Sequence, residues 1–174
     1  PYQPSGVPPA ADGPLTHAGE KGGMLGSFNL GLPVPPQTAP TIGDRLSAKG
    51  VSWAWYAGGW NAALADGMQP AGAPRKVIYN RSAGSPNFQP HHQPFNYFSR
   101  FAPGTPERAR HIRDGDDFLA AIGSGALPAV SFYKPAGRLT QHPSYTDIVS
   151  GDTHIAELLD KLRASPQWND MLVI

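Results

Sequence analysis

The stretch 88–98 contains the densest group of chemically active side chains in the sequence. His91 and His92 are adjacent there, with Pro90 and Pro94 on either side and aromatic residues around them. Histidine has an unperturbed pKa near neutrality, so such a pair could bind an oxyanion or transfer a proton at physiological pH. Because proline fixes φ and removes a backbone donor, we predict a shaped loop here rather than a central strand. Taken alone, the pair is best interpreted as two surface residues of a loop without a chemical role. The rest of the sequence changes that interpretation.

The composition limits the class of protein. With 174 residues the chain is long enough for one ordinary domain, and its 14 Lys and Arg against 13 Asp and Glu argue against nucleic-acid binding. The absence of cysteine excludes disulfides and thiolate metal sites. No apolar run approaches the ~20 residues that a membrane-spanning helix needs. Twenty glycines and twenty prolines without a collagen-like period predict that much of the chain is irregular loop.

The elements that must position the histidines are predicted from periodicity and from end signals. Residues 1–40 show no sustained period, which predicts an irregular, loop-rich entry segment. From residue 41 onward, a helix followed by a strand is predicted three times, over 41–56, 114–133 and 152–174, with the last strand at 171–174. Short apolar strands of this kind are typical of a parallel sheet with helices on its faces. The predicted fold class is therefore α/β, a mostly parallel sheet flanked by helices, with long loops rich in proline and glycine.

Two other histidines are interpreted from their places along the chain. His142 follows the second predicted strand, and active sites of open α/β sheets gather beyond the carboxyl ends of the strands. We therefore expect His142 at an edge that the loop of His91 and His92 could also reach. His111 belongs to a short helix predicted over 105–113, whose basic residues are expected to be solvated, and it is interpreted as a surface residue. The segment 76–79 is a further candidate for a short strand.

Three tryptophans within eight residues suggest a different class of function. Trp53, Trp55 and Trp60 could form a platform for stacking sugars, which would make the protein a carbohydrate-binding module. The sequence favours core and pocket wall instead, because buried aromatic rings dominate core packing and no polar sugar-binding residues cluster beside them.

Several motifs, taken together and in order, resemble a known family. They are 41–61, His-His-Gln-Pro-Phe-Asn-Tyr-Phe at 91–98, Gln-His-Pro-Ser-Tyr at 141–145, Ser-Gly-Asp-Thr-His-Ile at 150–155 and Ser-Pro-Gln-Trp at 165–168. With them, the sequence over 33–174 resembles the bacterial phosphoesterase family of acid phosphatases and phospholipases C. The opening residues 1–5 also look like the loop that enters this region in that family.

The resemblance implies a fold similar to alkaline phosphatase and a metal-assisted attack on phosphorus by a serine-type nucleophile. The family's metal ligands include an early Glu-Asn pair, the nucleophilic serine and an Asp-Glu pair after the strand that matches 171–174, and none of these has a counterpart in the sequence. Residues 1–174 are therefore expected to be the central part of a single larger domain. The divalent ion would be held by ligands outside this chain, and the remaining segments would be separate chains or parts of a longer precursor. The chain alone is expected to be inactive.

The resemblance also assigns roles to three residues. His91, His92 and His142 match histidines that line the family's phosphate pocket, where imidazolium donors would stabilise the charge on the phosphoryl oxygens or protonate the leaving alkoxide. Because adjacent side chains point differently, one of His91 and His92 is expected to contact phosphate more directly than the other. Lys134 is a separate and weaker candidate, which could steer an anionic substrate toward the pocket. It could equally be a solvated lysine without a role in the site.

The main hypothesis is thus a phosphate-ester hydrolase of the acid phosphatase or phospholipase C type. The alternative is a catalytically incomplete fragment that only binds phosphate, and the third possibility is the carbohydrate-binding module. The sequence leaves open whether the substrate is a monoester or a phospholipid, and which metal is used. A periplasmic or secreted location is implied by the resemblance alone.

Overall fold

A computed structural model describes residues 37–174 of the chain except positions 68, 70–72, 75, 103 and 144. The entry segment predicted over 1–40 lies almost wholly outside the described residues. Within the described part, no helix is both long enough and apolar enough to cross a membrane.

Three parallel strands form the sheet of the described region, in the order β2-β1-β3. The strands are β1 Trp53–Ala57, β2 Ile112–Asp114 and β3 Val130–Lys134. In the central strand, Tyr56 lies opposite Arg113 of β2 and Tyr133 of β3. The prediction of an α/β fold with a parallel sheet is confirmed.

Helices and short 3-10 segments surround this sheet. The α-helices are α1 Ile42–Ala48, α2 Trp60–Gly67, α3 Pro106–His111, α4 Gly115–Ser124 and α5 Ile148–Arg163. Side-chain caps begin several of them, since Thr41 and Asp44 form a capping box on α1, and Asp114 and Asp117 form another on α4. The 3-10 segments are Pro90–His92, Pro94–Tyr97, Ser99–Phe101, Gly137–Leu139 and Trp168–Asp170.

The alternation of side chains along β1 divides the core between the two faces of the sheet. On one face, Trp53 and Ala57 pack with Trp60 and with the phenylalanines of the 88–101 region. On the other face, Ala54 and Tyr56 pack against α4 and α5. Trp53 and Trp60 are each only 3% exposed, so they cannot stack on a sugar. The core interpretation of the tryptophans is confirmed, and the sugar platform is wrong.

Two strand predictions are also wrong. The segment 171–174 forms no regular structure and pairs with no described strand, and Leu172 and Ile174 are exposed. Its apolar sequence is typical of a strand, but strand structure also requires a neighbour to which the backbone can hydrogen-bond. The segment 76–79 contributes only an isolated bridge between Ile78 and Phe88. The strand beside β1 is instead β2, whose three residues are too few to show a period of two.

The helix predicted over 105–113 is present as α3, but two of its basic residues are not solvated as expected. His111 is 5% exposed, its ring stacks on Trp53 at 4.1 Å between centroids, and its Nδ1 lies 2.7 Å from the Trp53 carbonyl oxygen. Arg108 donates to Asn96 and lies over the Trp60 ring. The surface interpretation of His111 is therefore wrong, because α3 turns this face toward the tryptophan side of the core.

Candidate functional site

The histidine loop, residues 89–98, is held in one shape by its own backbone and by the central strand. Its two 3-10 turns each begin at a proline, and the amide of His92 donates to the Gln89 carbonyl at 2.8 Å. Trp55 on β1 donates its indole N–H to the His92 carbonyl at 3.0 Å. The prediction of a shaped loop is confirmed, and the indole contact ties that loop to the sheet.

The two adjacent histidines lie in different surroundings. Their rings are 4.6 Å apart between centroids and at 84° to each other. His92 is 7% exposed, whereas His91 is exposed. A ligand arriving from solvent therefore meets His91 first, while His92 can act only at the inner wall of a site.

Burial and neighbouring positive charges lower the pKa of His92 to about 3. After burial, the causes in order are the charges of His91, Lys134 and His142. These four side chains, called the histidine cluster below, therefore lie close enough to interact electrostatically, as expected for loops that meet beyond the carboxyl end of a sheet. A pKa this low leaves His92 neutral at physiological pH. The expectation of an imidazolium does not hold at this position, although a neutral ring still donates from one nitrogen.

The low pKa of His92 predicts how stability depends on pH. The unfolded chain binds a proton at this residue near pH 6.5 and the folded chain only near pH 3, so the free energy of unfolding should fall as the pH falls between these values. The slope from this one residue is at most about 1.4 kcal/mol per pH unit. Urea unfolding of the wild type and of His92→Asn across this range would measure it. Equal slopes in the two proteins would contradict the prediction, and the comparison subtracts the effect of His154, whose pKa burial also lowers.

Lys134 and His142 belong to the end of β3 and to the loop that follows it. Lys134 is the last residue of β3, and burial lowers its pKa. His142 is exposed, stacks on Tyr145 at 4.3 Å between centroids, and has its Nδ1 2.6 Å from the Pro143 carbonyl oxygen. Since a carbonyl only accepts, Nδ1 must carry the proton, and His142 donates from Nε2 only when the ring is protonated.

Close backbone contact fixes the loop after β3 against the segment that leads into the histidine loop. Gly137 lies so near the Asn87 carbonyl that a Cβ atom on residue 137 would collide with it. Gly58 directly follows β1, and a Cβ atom on it would collide with the Ala136 amide. These glycines allow the segments that carry the cluster to pack directly on one another at the carboxyl end of β1.

A cavity of about 900 Å³ lies at the same edge of the sheet and was not predicted from the sequence. At its wall the Tyr133 hydroxyl lies 2.9 Å from His154 Nε2. Burial, with the charges of Asp114 and Asp116, raises the pKa of Tyr133 to about 12. Tyr133 packs with the α4 and α5 side of the core, whereas its strand neighbour Phe132 packs on the opposite side. Only the position of Tyr133 at the end of a strand could have indicated this cavity.

No metal centre is formed by the residues that the structure describes. Among them, no group of three or more His, Asp or Glu side chains is arranged to hold a metal ion. The divalent ion implied by the resemblance therefore does not fit the donor set of this part of the chain.

Comparison with known proteins gives one family match. The model of the phosphoesterase family matches residues 11–174, which is nearly the whole sequence. A search of curated proteins gives no match.

Proposed function

The chain belongs to the phosphoesterase family, and we propose that the histidine cluster is where it binds the phosphoryl group of its substrate. The observation that carries the proposal is the convergence of His91, Lys134 and His142 on the buried imidazole of His92 at the carboxyl end of the sheet. A phosphoryl group in transfer spreads negative charge over its equatorial oxygens. A site with N–H donors and positive charges is suited to that distribution.

Each member of the cluster has a different part in this proposal. Lys134 attracts the anionic group, and neutral His92 donates a hydrogen bond at the inner wall. His91, at the exposed side, donates to another phosphoryl oxygen. Protonated His142 donates from Nε2, and transfer of that proton to the departing alkoxide would release a neutral alcohol. The cavity at the same edge has room for the alcohol part of an ester.

The finer assignments are also proposals. We propose an acid phosphatase or phospholipase C type of activity, with a divalent ion and a nucleophile whose ligands and identity lie outside the residues assigned here. A periplasmic or secreted location has the same support, which is the resemblance of the sequence to this family.

Phosphate binding by the purified chain is the direct test. We expect saturable binding of inorganic phosphate in a ³¹P NMR titration, and an affinity about tenfold lower in Lys134→Gln. Lys161→Gln is the matched control, because Lys161 is an exposed lysine of α5. Non-saturable binding, or equal weakening in both variants, would contradict the assignment of the cluster. Saturable binding without hydrolysis of p-nitrophenyl phosphate, with divalent ions added, would favour the fragment that only binds phosphate.

A further inference from the structure

Arg81 lies beside the histidine cluster, although its sequence context suggests only a turn. Its guanidinium carbon is 4.9 Å from the centroid of the Tyr145 ring. The same tyrosine stacks on His142, with ring centroids 4.3 Å apart. Tyr145 therefore contacts both a histidine of the cluster and a permanently charged arginine.

The position of Arg81 is determined by the chain on either side of it. The loop that carries it closes where Ile78 and Phe88 form their bridge, and the amide of Tyr79 donates to the Phe88 carbonyl at 2.9 Å. Within the loop, the amide of Ser82 donates to the Asn80 side chain at 2.8 Å. Because the histidine loop begins directly after Phe88, the two loops are anchored to the same point.

Arg81 is also available to bind an anion. The residue is exposed and makes no ion pair with a carboxylate in the described part of the chain. A guanidinium that stacks on an aromatic ring keeps its N–H groups at the edge, where they can form a two-pronged contact with phosphate.

The charges around the cluster indicate which phosphate ester suits it. The groups whose charge lowers the pKa of His92 are His91, Lys134 and His142, and no carboxylate of the described residues is among the groups that act on it. Arg81 adds a permanent cation to Lys134 and the histidines. A phosphate monoester carries up to two negative charges where a diester carries one. We propose that Arg81 is a phosphate-binding residue of this site and makes it selective for dianionic monoesters. The inference rests on the proposed function and specifies its substrate class.

Two ligands that differ by one methyl group and one charge test the inference. Phenyl phosphate is a dianion well above its second pKa of about 6, whereas methyl phenyl phosphate stays a monoanion. We expect the wild-type chain to bind phenyl phosphate at least about tenfold more tightly in calorimetry at such a pH. Arg81→Gln should remove most of that preference by weakening monoester binding, and Arg81→Lys should retain part of it.

Further variants separate charge recognition from structural effects. Tyr145→Leu removes the ring under Arg81 and should lose the preference as Arg81→Gln does, whereas Arg163→Gln on α5 should keep it. Thermal unfolding of each variant shows whether it folds. Equal affinity for the two esters in the wild type, or an equal loss for both in Arg81→Gln, would overturn the inference and leave phosphate binding intact. If neither ester binds to the wild type, the proposed function fails as well.

Discussion

Replacing His91 or His142 with alanine is expected to lower kcat/KM for phosphate-ester hydrolysis, the proposed activity, at least about 10²-fold. His91 is the exposed member of the adjacent pair, and His142 is oriented by Tyr145 and by the Pro143 carbonyl. Both losses follow from the removal of a positioned donor that stabilises charge in the transition state. Steady-state kinetics with p-nitrophenyl phosphate would measure them.

His154→Gln is the informative comparison for these two variants. His154 lies in the wall of the cavity, hydrogen-bonded to Tyr133, and is not among the groups that act on His92. We expect it to change turnover much less than His91→Ala does. A large loss of turnover in His154→Gln, together with unchanged turnover in His91→Ala, would indicate that the reaction takes place in the cavity and not at the histidine cluster.

Replacing Asp66 with alanine is expected to lower the free energy of unfolding by about 3 kcal/mol or more. Asp66 is 4% exposed, and its carboxylate accepts the backbone amides of Lys76, Val77 and Ile78 at 2.9, 3.1 and 3.0 Å. Without it, these amides lose their charged acceptor, and each unsatisfied donor that is buried costs about 1–3 kcal/mol. Equilibrium urea unfolding would measure the loss.

The control for Asp66→Ala is Asp160→Ala on the exposed face of α5, where we expect a change within about 0.5 kcal/mol. Asp66→Asn keeps one acceptor oxygen and should lie between the two. A loss below about 1 kcal/mol in Asp66→Ala would mean that the three amides find other partners. Because Asp66 secures the segment leading to the Arg81 loop, its loss should also weaken phosphate binding.

Local signals in the sequence were sufficient for the features that depend on neighbours along the chain. The helix predicted from residue 41 onward is present, and Thr41 and Asp44 form the capping box that begins it. The shaped loop around His91 and His92 followed from its two prolines. These predictions are reliable because φ restriction and helix capping act over three or four residues and need no tertiary contact.

Features that depend on distant partners were not predicted from the residues themselves. The apolar segment 171–174 has the composition of a strand but no paired strand in the described region, whereas the three residues of β2 gain theirs from β1. His111 has the sequence context of a surface helix, and its burial comes from Trp53, which lies 58 positions earlier in the chain.

For the site, the sequence by itself determined the residue types: the paired histidines, the loop histidine after β3 and the family to which they point. The tertiary structure decided their protonation and which other residues lie beside them. It buried His92 beside three positive groups, which lowers the pKa of His92, and it brought Arg81 to the ring that stacks on His142. Burial and the distances between charges depend on which distant segments pack together. The order of residues along the chain does not show either of them directly.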